Sequence, residues 1–330
     1  MNKVIIILGP TGVGKTGASI LLAKAMDTEI ISADSMQIYR HMDIGTAKPA
    51  RDEMSGVKHH MLDIVEPRET FSVGKYIEHV VPIIGSLHAR GKIPVVVGGT
   101  GLYIKAMTRG LFSGPSADWA LREELLGREE KDPGSLYRHL QQLDPDAAAK
   151  VMPSDRRRIV RSLEVCLTAE TGITELQKNL TSPLPYSFLL VGLTRERKEL
   201  YRLIEKRVDT MISAGLETEV RNLLRMSPGK TAMQAIGYKE IALFFRGGIS
   251  FDEAVRIIKK RSRNYAKRQL TWFRQEKGIQ WLDTTGLFSH RDIYKAIEIF
   301  LDNRLTYEGK RDSGSGSYIK GDRQGGCDVQ

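Results

Sequence analysis

The sequence predicts an α/β fold in which helices flank an open parallel sheet and an all-helical domain is inserted. A short β-branched run, Lys3–Leu8 (KVIIIL), ends at a glycine-rich turn, as a buried parallel strand does. That turn, residues 9–16 (GPTGVGKT), matches the phosphate-loop pattern G-x-x-x-x-G-K-[ST] and is followed by helix-forming residues. Further apolar runs then alternate with helical patterns, which is typical of a parallel sheet.

The remaining elements follow from hydrophobic patterns along the chain. After the first strand, we predict strands at residues 29–33, 94–97, 187–193 and 279–282. We predict helices at residues 15–26, 200–214 and 251–274. His59 and His60 are adjacent and are interpreted as loop residues rather than metal ligands.

The domain organisation is predicted from where strand candidates are missing. Residues 115–185 are charged and helix-prone with no strand candidate, so we predict an inserted helical domain there. The α/β core then consists of residues 1–114 and 186–305. Residues 306–330 are rich in Gly, Ser and charge with few apolar residues, which predicts a disordered tail.

Composition excludes several classes of protein. The chain has 330 residues and a formal charge of +10, and no apolar run approaches the ~20 residues of a membrane span. Two cysteines, Cys166 and Cys327, have no metal-ligand spacing. With no leader pattern before the loop at Gly9, we expect a cytoplasmic protein without disulfides. The modest basic excess permits a polyanionic partner without proving one.

The phosphate loop predicts a site for a phosphorylated ligand. Its glycines allow a tight turn, the following helix adds positive potential, and its lysine supplies a full charge. The loop alone leaves open whether the phosphate belongs to a nucleotide or is a diphosphate on another molecule. The predicted phosphate-binding residues are Gly9, Pro10, Thr11, Gly12, Val13, Gly14, Lys15 and Thr16, of which Thr16 is the candidate ligand for Mg²⁺.

Polar segments also follow the second and third predicted strands. Asp34 comes directly after one, and Gly98, Gly99 and Thr100 close the other. In an open parallel sheet the ligand crevice lies outside the carboxyl ends of the strands, so Asp34 and Thr100 should face the pocket of Lys15. The residues alone leave Asp34 as a Mg²⁺ ligand, a helix cap or a proton acceptor, and Thr100 as a site residue or a turn residue. The chain has no N-K-x-D-like motif, which disfavours a GTPase.

Two segments carry clustered positive charge. Residues 155–161 (DRRRIVR) lie in the predicted insert, and residues 256–274 carry eight Lys or Arg, no acid and three interleaved aromatic residues. Either segment can form a nucleic-acid surface or a solvated basic face whose apolar side packs inward. The longer helix can do both on opposite faces.

Six motifs now occur in one order: GPTGVGKT, SADSMQIYRHMDIGTAKP, VVVGGTGLYIKA, RRIVRSLE, AIGYKE and KRQLTWFR. Together they resemble the bacterial tRNA dimethylallyltransferases (isopentenyl-diphosphate:tRNA transferases) over roughly residues 3–284. The resemblance implies transfer of a dimethylallyl group from dimethylallyl diphosphate to N6 of the adenosine immediately 3′ of the anticodon. It also implies that the phosphate loop holds the leaving diphosphate with Mg²⁺, and that no membrane or obligate protein partner is needed.

The resemblance implies roles for individual residues. Asp34 matches the family's general base, Thr100 a residue near the reacting centre, and Arg207 a further diphosphate contact. Arg157 stands where many relatives carry Gln. Contacts to the tRNA anticodon stem-loop are implied at Asp34, Ser35, Met36, Gln37, Thr100, Arg122, Arg157, Arg158, Ile159, Val160 and Arg161. A phosphate-loop kinase of a nucleoside or small metabolite and a non-catalytic RNA-binding protein are the alternatives.

Overall fold

The computed structural model describes residues 2–312, with gaps at 113 and 116. Its centre is a six-stranded sheet of order β3-β2-β4-β1-β5-β6, in which all neighbouring strands are parallel. The predicted fold class is therefore confirmed. The strands are β1 (Lys3–Leu8), β2 (Ile30–Ala33), β3 (His59–His60), β4 (Val95–Gly98), β5 (Ser187–Thr194) and β6 (Gln280–Asp283).

Helices cover both faces of the sheet and form most of the rest of the chain. Before β5 they are α1 (Lys15–Ala25), α2 (Val73–Ala89), α3 (Gly101–Arg109), α4 (Trp119–Lys131), α5 (Ser135–Leu143), α6 (Pro145–Ala148), α7 (Arg156–Ala169) and α8 (Ile173–Leu180). After β5 they are α9 (Arg197–Ser213), α10 (Leu216–Arg225), α11 (Tyr238–Phe245), α12 (Phe251–Arg274) and α13 (His290–Asp312). Of the described helices, none is both long and apolar enough to cross a bilayer.

The central strand β1 is buried on both faces, which is why its sequence is a continuous apolar run. Ile5 and Ile7 pack with residues of α1 and α13, whereas Val4 and Ile6 pack with residues of α2 and α3. The sheet is thus the middle of three layers. This arrangement brings the loops that follow β1, β2 and β4 to one edge of the sheet.

The predicted strands agree with the structure to within a residue or two, with one omission. The prediction that His59 and His60 lie in a loop was wrong, because they form the short edge strand β3, which pairs with β2. Their side chains are held locally: His59 Nδ1 lies 2.9 Å from the Val57 carbonyl, and His60 Nε2 lies 2.6 Å from Glu29. A pairing of two residues is too short to leave a hydrophobic period in the sequence.

The segment between α3 and β5 is helical and has its own apolar core. Leu125, Leu140, Ile159 and Leu163 are buried in that core together with Cys166. The limits 115–185 of an inserted domain stay a prediction. At the other end of the chain, α13 continues to Asp312, and the rest of the predicted tail lies outside the described residues. The disordered tail stays a prediction.

A third apolar cluster joins the loop after β2 to the C-terminal helices. Ile38, Tyr39 and Met42 of that loop pack against Val208 of α9 and Tyr238 of α11. The loop that carries the predicted site residues 34–37 is therefore fixed against a helical layer that is remote in sequence.

The close approach of β4 to β2 requires a glycine at position 98, which gives a first prediction. A Cβ on Gly98 would lie 2.2 Å from the carbonyl oxygen of Ala33, and neither main chain can move without disturbing the sheet. We expect Gly98→Ala to lower the free energy of unfolding by about 2–3 kcal/mol. Urea denaturation would measure this change.

The matched control for that substitution is Gly85→Ala. Gly85 lies in the middle of α2 on its exposed face, where an added Cβ meets nothing within 4 Å. This change should raise stability by about 0.5–1 kcal/mol, since alanine is the better helix former. Equal stability of the Gly98→Ala variant and the wild type would contradict the close approach of β2 and β4.

Candidate active site

A cavity of about 350 Å³ lies at the sheet edge where the loops after β1, β2 and β4 meet. Helices α9 and α12 close it from the other side. The side chains that carry the following argument are Thr11, Lys15, Asp34, Arg207, Tyr265 and Gln269, all of which line the cavity.

The phosphate loop adopts its expected form between β1 and α1. Gly12 and Gly14 have φ of 81° and 100°, which only glycine adopts without strain, and α1 begins at Lys15. The Lys15 ammonium donates to the carbonyl oxygens of Gly9 at 3.0 Å and Pro10 at 2.8 Å. The charge is thereby folded back over the loop, at the positive end of the helix.

Positive charge dominates the cavity. Burial, and next the charge of Arg207, lower the pKa of Lys15 to about 7, and the nearby carboxylate of Asp34 opposes this shift. Burial also lowers the pKa of Arg207, again against the effect of Asp34. Two cations therefore face one carboxylate in a partly dehydrated site. Such an arrangement favours the binding of a multiply charged anion.

The pKa of Lys15 predicts how anion affinity depends on pH. A bound diphosphate favours the protonated lysine, so binding above the free-site pKa of about 7 takes up a proton. The contribution of Lys15 to the affinity for inorganic pyrophosphate should therefore be greatest below that pH and fall by up to about tenfold per unit above it. Isothermal titration calorimetry between about pH 6 and pH 9 would measure both the affinity and the proton uptake.

Lys15→Arg is the control for this pH dependence. Arginine keeps the charge but does not titrate in this range, and the titration of pyrophosphate itself cancels in the ratio of the two affinities. The same pH dependence in both proteins would contradict a titrating Lys15.

Asp34 follows β2 and lies centrally among the charged and phenolic groups of the cavity. Its Oδ1 accepts the N–H groups of Met36 at 2.8 Å and Gln37 at 3.4 Å, which fixes the carboxylate on the turn. Burial and then the charge of Asp34 raise the pKa of Tyr103 and of Tyr265. Oδ2 accepts no hydrogen bond from the part of the chain that the structure describes, so it is open to contact with a ligand.

Thr100 and its neighbours hold the turn after β2 against the turn after β4. The Thr100 hydroxyl accepts the Ser35 N–H at 3.0 Å and donates to Ser35 Oγ at 3.4 Å. The Gln37 amide accepts from Ser32 Oγ and donates to the carbonyls of Thr46 and Ala47, each at 3.2 Å. Ser35 and Gln37 line the cavity beside Asp34, whereas Thr100 is not among the lining residues and contacts the cavity wall only through Ser35. The predicted contacts of these residues with tRNA stay predictions.

The residues present fit a magnesium ion bound mainly through a ligand. Thr16 is exposed at the start of α1 and lines the same cavity as Asp34. Within residues 2–312, leaving out the two gaps, no group of three His, Cys, Asp or Glu could hold a metal. Mg²⁺ in phosphate sites typically takes one or two protein oxygens and otherwise phosphates and water. A hydroxyl and a carboxylate beside a cationic loop match that donor set, and the Mg²⁺ site at Thr16 stays a prediction.

In the insert, the predicted tRNA-binding arginines differ in their surroundings. Arg122 donates from Nε and Nη2 to the fully buried Glu164 at 2.8 Å each, and Arg161 donates to the same carboxylate. Arg157 and Arg158 are exposed.

The two apolar residues of the same segment face inward. Ile159 and Val160 are buried in the insert core. A contact of tRNA with either would have to use main-chain atoms. The predicted tRNA contacts of the insert stay predictions, and the structure adds an internal role for Arg122 and Arg161.

The basic helix α12 has an apolar face and a charged face. Ile258, Ala266 and Phe273 are buried, whereas Lys267 and Arg268 are exposed. Part of its charge is paired with other helices, at Lys259–Asp209, Arg261–Glu240 and Arg263–Glu205. Arg268 lines the cavity, and its guanidinium carbon lies 5.8 Å from the centre of the Tyr265 ring.

Sequence reasoning missed two groups that organise the cavity. The carboxylate of Glu219 accepts the N–H groups of Asp43, Ile44 and Gly45 at 2.8–3.0 Å and the hydroxyl of Tyr238 at 2.5 Å. It fixes the loop whose Gly45 lines the cavity. The second group is the side chain of Gln269 on α12. In the sequence, Glu219 and Gln269 are single polar residues. They are so far along the chain from their contact partners that no local pattern relates them.

The strand order, the phosphate loop after β1 and the polar turns after β2 and β4 define an α/β protein of the phosphate-loop class with a cationic ligand cavity. The sequence profile of the family described as IPP transferase matches residues 37–276. A tRNA dimethylallyltransferase of Thermodesulfovibrio yellowstonii is 56% identical over 292 residues, which cover 86% of this chain and 93% of the relative. One of Geobacillus kaustophilus is 48% identical over 310 residues, 93% of this chain and 98% of the relative.

Two solved structures of tRNA-modifying transferases are also similar to this chain. The full-length tRNA isopentenylpyrophosphate transferase of Bacillus halodurans is 39% identical with a TM-score of 0.71, covering 95% of this chain and 100% of that one. A eukaryotic dimethylallyltransferase acting on tRNA is 30% identical with a TM-score of 0.78, covering 93% and 80%. The chain therefore belongs to the IPP transferase family and is an enzyme, a prenyltransferase, which confirms the resemblance seen in its motifs.

Proposed function

We propose that this enzyme transfers a dimethylallyl group from dimethylallyl diphosphate to N6 of the adenosine immediately 3′ of the anticodon in tRNA. Its relatives are named for dimethylallyl transfer to tRNA. The observation that carries the proposal is the juxtaposition of Asp34, whose Oδ2 has no partner within the described chain, with the half-buried cations Lys15 and Arg207. Lys15 and Arg207 can bind a departing diphosphate, and Asp34 can accept a proton from an amine.

The bond changes assign a task to each group. The N6 lone pair forms a bond to C1 of the dimethylallyl group, the C1–O bond breaks, and its electron pair leaves on the diphosphate. Lys15 and Arg207 stabilise that charge as it develops. Asp34 accepts the proton that N6 loses, and Thr100 orients the turn that carries this carboxylate. Bound at Thr16, Mg²⁺ would supply further neutralisation of the diphosphate.

The acceptor must enter a cavity rather than lie on a surface. A base in a stacked anticodon loop cannot reach Asp34, so the adenosine has to leave its stack. The exposed residues Arg157, Arg158, Lys267 and Arg268 are suited to holding phosphates of the anticodon stem-loop. A tRNA-modifying role also accords with a cytoplasmic enzyme that needs neither a membrane nor an obligate protein partner.

Transfer of label tests this proposal directly. The enzyme is incubated with dimethylallyl diphosphate labelled in the prenyl group, Mg²⁺ and unmodified tRNA, and the tRNA is then digested to nucleosides. Label should appear in N6-dimethylallyladenosine at the position 3′ of the anticodon, and an excess of EDTA should prevent it. Absence of label in tRNA would refute the proposal, and transfer from γ-labelled ATP to a small acceptor would indicate a kinase instead.

A further inference from the structure

Gln269 is a buried amide in the middle of the basic helix α12. The residue is 7% exposed and lines the cavity. Its Oε1 accepts the N–H of Thr11 at 2.9 Å, and its Nε2 donates to the carbonyl oxygen of Gly99 at 2.9 Å. One side chain thereby joins the phosphate loop after β1 to the turn after β4.

These two contacts lie on opposite sides of the proposed reaction centre. The hydroxyl of Thr11 accepts a hydrogen bond from Arg207 Nη1 at 3.0 Å, so Thr11 belongs to the diphosphate side. Gly99 precedes Thr100, which contacts the turn that carries Asp34. The amide of Gln269 therefore spans the two halves of the cavity.

We propose that Gln269 is a positioning residue that sets the distance between the phosphate loop and the Gly99–Thr100 turn. Through these two contacts it keeps a diphosphate held by Lys15 and Arg207 within reach of the amine that Asp34 deprotonates. This inference rests on the proposed function, since it concerns the same reaction centre.

An amide suits this task because it offers an acceptor and a donor on one rigid plane. Without it, the Thr11 N–H and the Gly99 carbonyl lose their partners inside the cavity, and both loops shift to replace them. A misplacement of about 1 Å in an active site costs on the order of 100-fold in rate. The buried apolar residues Ile258, Ala266 and Phe273 of α12 stay in place when the amide is replaced.

Two substitutions and a matched control test the role. Gln269→Leu removes both hydrogen bonds at similar volume, and Gln269→Glu keeps an acceptor for Thr11 but loses the donor to Gly99. Gln141→Leu makes the same change as the first variant at an exposed position on α5. For each protein we would measure the melting temperature, the dissociation constants for tRNA and for inorganic pyrophosphate, and the single-turnover rate of prenyl transfer per folded molecule.

The expected result separates positioning from general stability. Gln269→Leu should lower the single-turnover rate by about 100-fold and leave tRNA affinity within about threefold of wild type, while the control matches wild type. Gln269→Glu should lose at least about tenfold in rate and also bind pyrophosphate more weakly, because it adds negative charge beside the anion. A purely structural role would lower the melting temperature and leave the rate of folded molecules unchanged.

Each outcome bears on the inference. A rate for Gln269→Leu within about threefold of wild type would overturn it. If that variant does not fold, Gln269→Glu decides by the same criterion. If the wild-type enzyme transfers no prenyl group, the proposed function fails, and pyrophosphate affinity remains the test of whether Gln269 organises the phosphate loop.

Discussion

Replacing Asp34 by Asn should lower the turnover number by about 10²–10⁴-fold and leave the affinity for tRNA within about threefold of wild type. Among the described residues, Asp34 is the one carboxylate whose charge raises the pKa values of Lys15 and Arg207, and the substitution removes it. An amide cannot accept the N6 proton. Single-turnover transfer at saturating donor, together with filter binding of labelled tRNA, would measure the two quantities separately.

Asn is the sharper substitution because of how Asp34 is held. Its Oδ1 accepts the N–H groups of Met36 and Gln37, and the amide oxygen of Asn can keep both contacts. Asp34→Ala should likewise retain tRNA binding and lose turnover, but it also removes these contacts and so can disturb the turn. Asp52→Asn, in an exposed loop, is the matched control and should behave as wild type. Near-normal turnover of Asp34→Asn would rule out this residue as the base.

Much of this site could be predicted because parallel sheets impose a rule on position. β1 is an uninterrupted apolar run that ends in a phosphate loop, and such a strand is buried at the centre of a sheet. Polar residues directly after neighbouring strands must then share one edge. This argument predicted that Asp34 and Thr100 face the cavity of Lys15 without knowledge of any contact between them. The structure places Lys15 and Asp34 in the cavity lining; Thr100 is not in the lining, but its hydroxyl accepts a hydrogen bond from Ser35, which is.

The residues that the sequence could not supply act over long separations. Gln269 contacts Thr11 across 258 positions, and Glu219 contacts Gly45 across 174, so no periodicity or local motif relates them. Gln269 was also missed because its segment was interpreted only from its many basic residues. The short strand β3 was missed for the opposite reason, since two residues carry too little pattern to predict a pairing.

The structure shows a contact of Arg122 and Arg161 that the charge pattern of the sequence does not predict. Arg122 and Arg161 were predicted to contact tRNA, and an arginine on a helix surface is consistent with that role. In the structure both donate to Glu164, a carboxylate with 0% exposure, which the sequence gives no reason to expect inside a basic segment. Which role dominates can be measured.

Replacing Glu164 by Gln should destabilise the helical insert by about 2–3 kcal/mol. Burial works to raise the pKa of Glu164, but hydrogen bonds from Arg122 and Arg161 outweigh it and hold the pKa below its usual value. Removing one partner of a buried ion pair typically costs ~3–5 kcal/mol, and the cost is smaller here because both arginines can turn towards water. Hydrogen exchange in α4 and α7 would report this local loss without requiring global unfolding.

The pH dependence and a matched control separate this buried pair from surface charge. Because the pKa of Glu164 is lowered on folding, its stabilisation is complete at neutral pH and is lost as the pH falls through the folded-state value. The Gln variant should lack that part of the acid dependence. Glu123→Gln, the neighbouring exposed carboxylate on α4, should change neither the stability nor the acid dependence.

The thermodynamic cycle of Glu164→Gln with Arg122→Gln then distinguishes the two roles of the arginine. If Arg122 serves mainly to hold Glu164, the two substitutions should be coupled by about 1–3 kcal/mol in stability, and the loss of tRNA affinity in Arg122→Gln should follow the loss of insert structure. Independent effects on stability, with a tRNA affinity that falls in a fully folded Arg122→Gln protein, would assign the guanidinium to tRNA. The buried carboxylate would then be a partner that Arg122 leaves when the substrate binds.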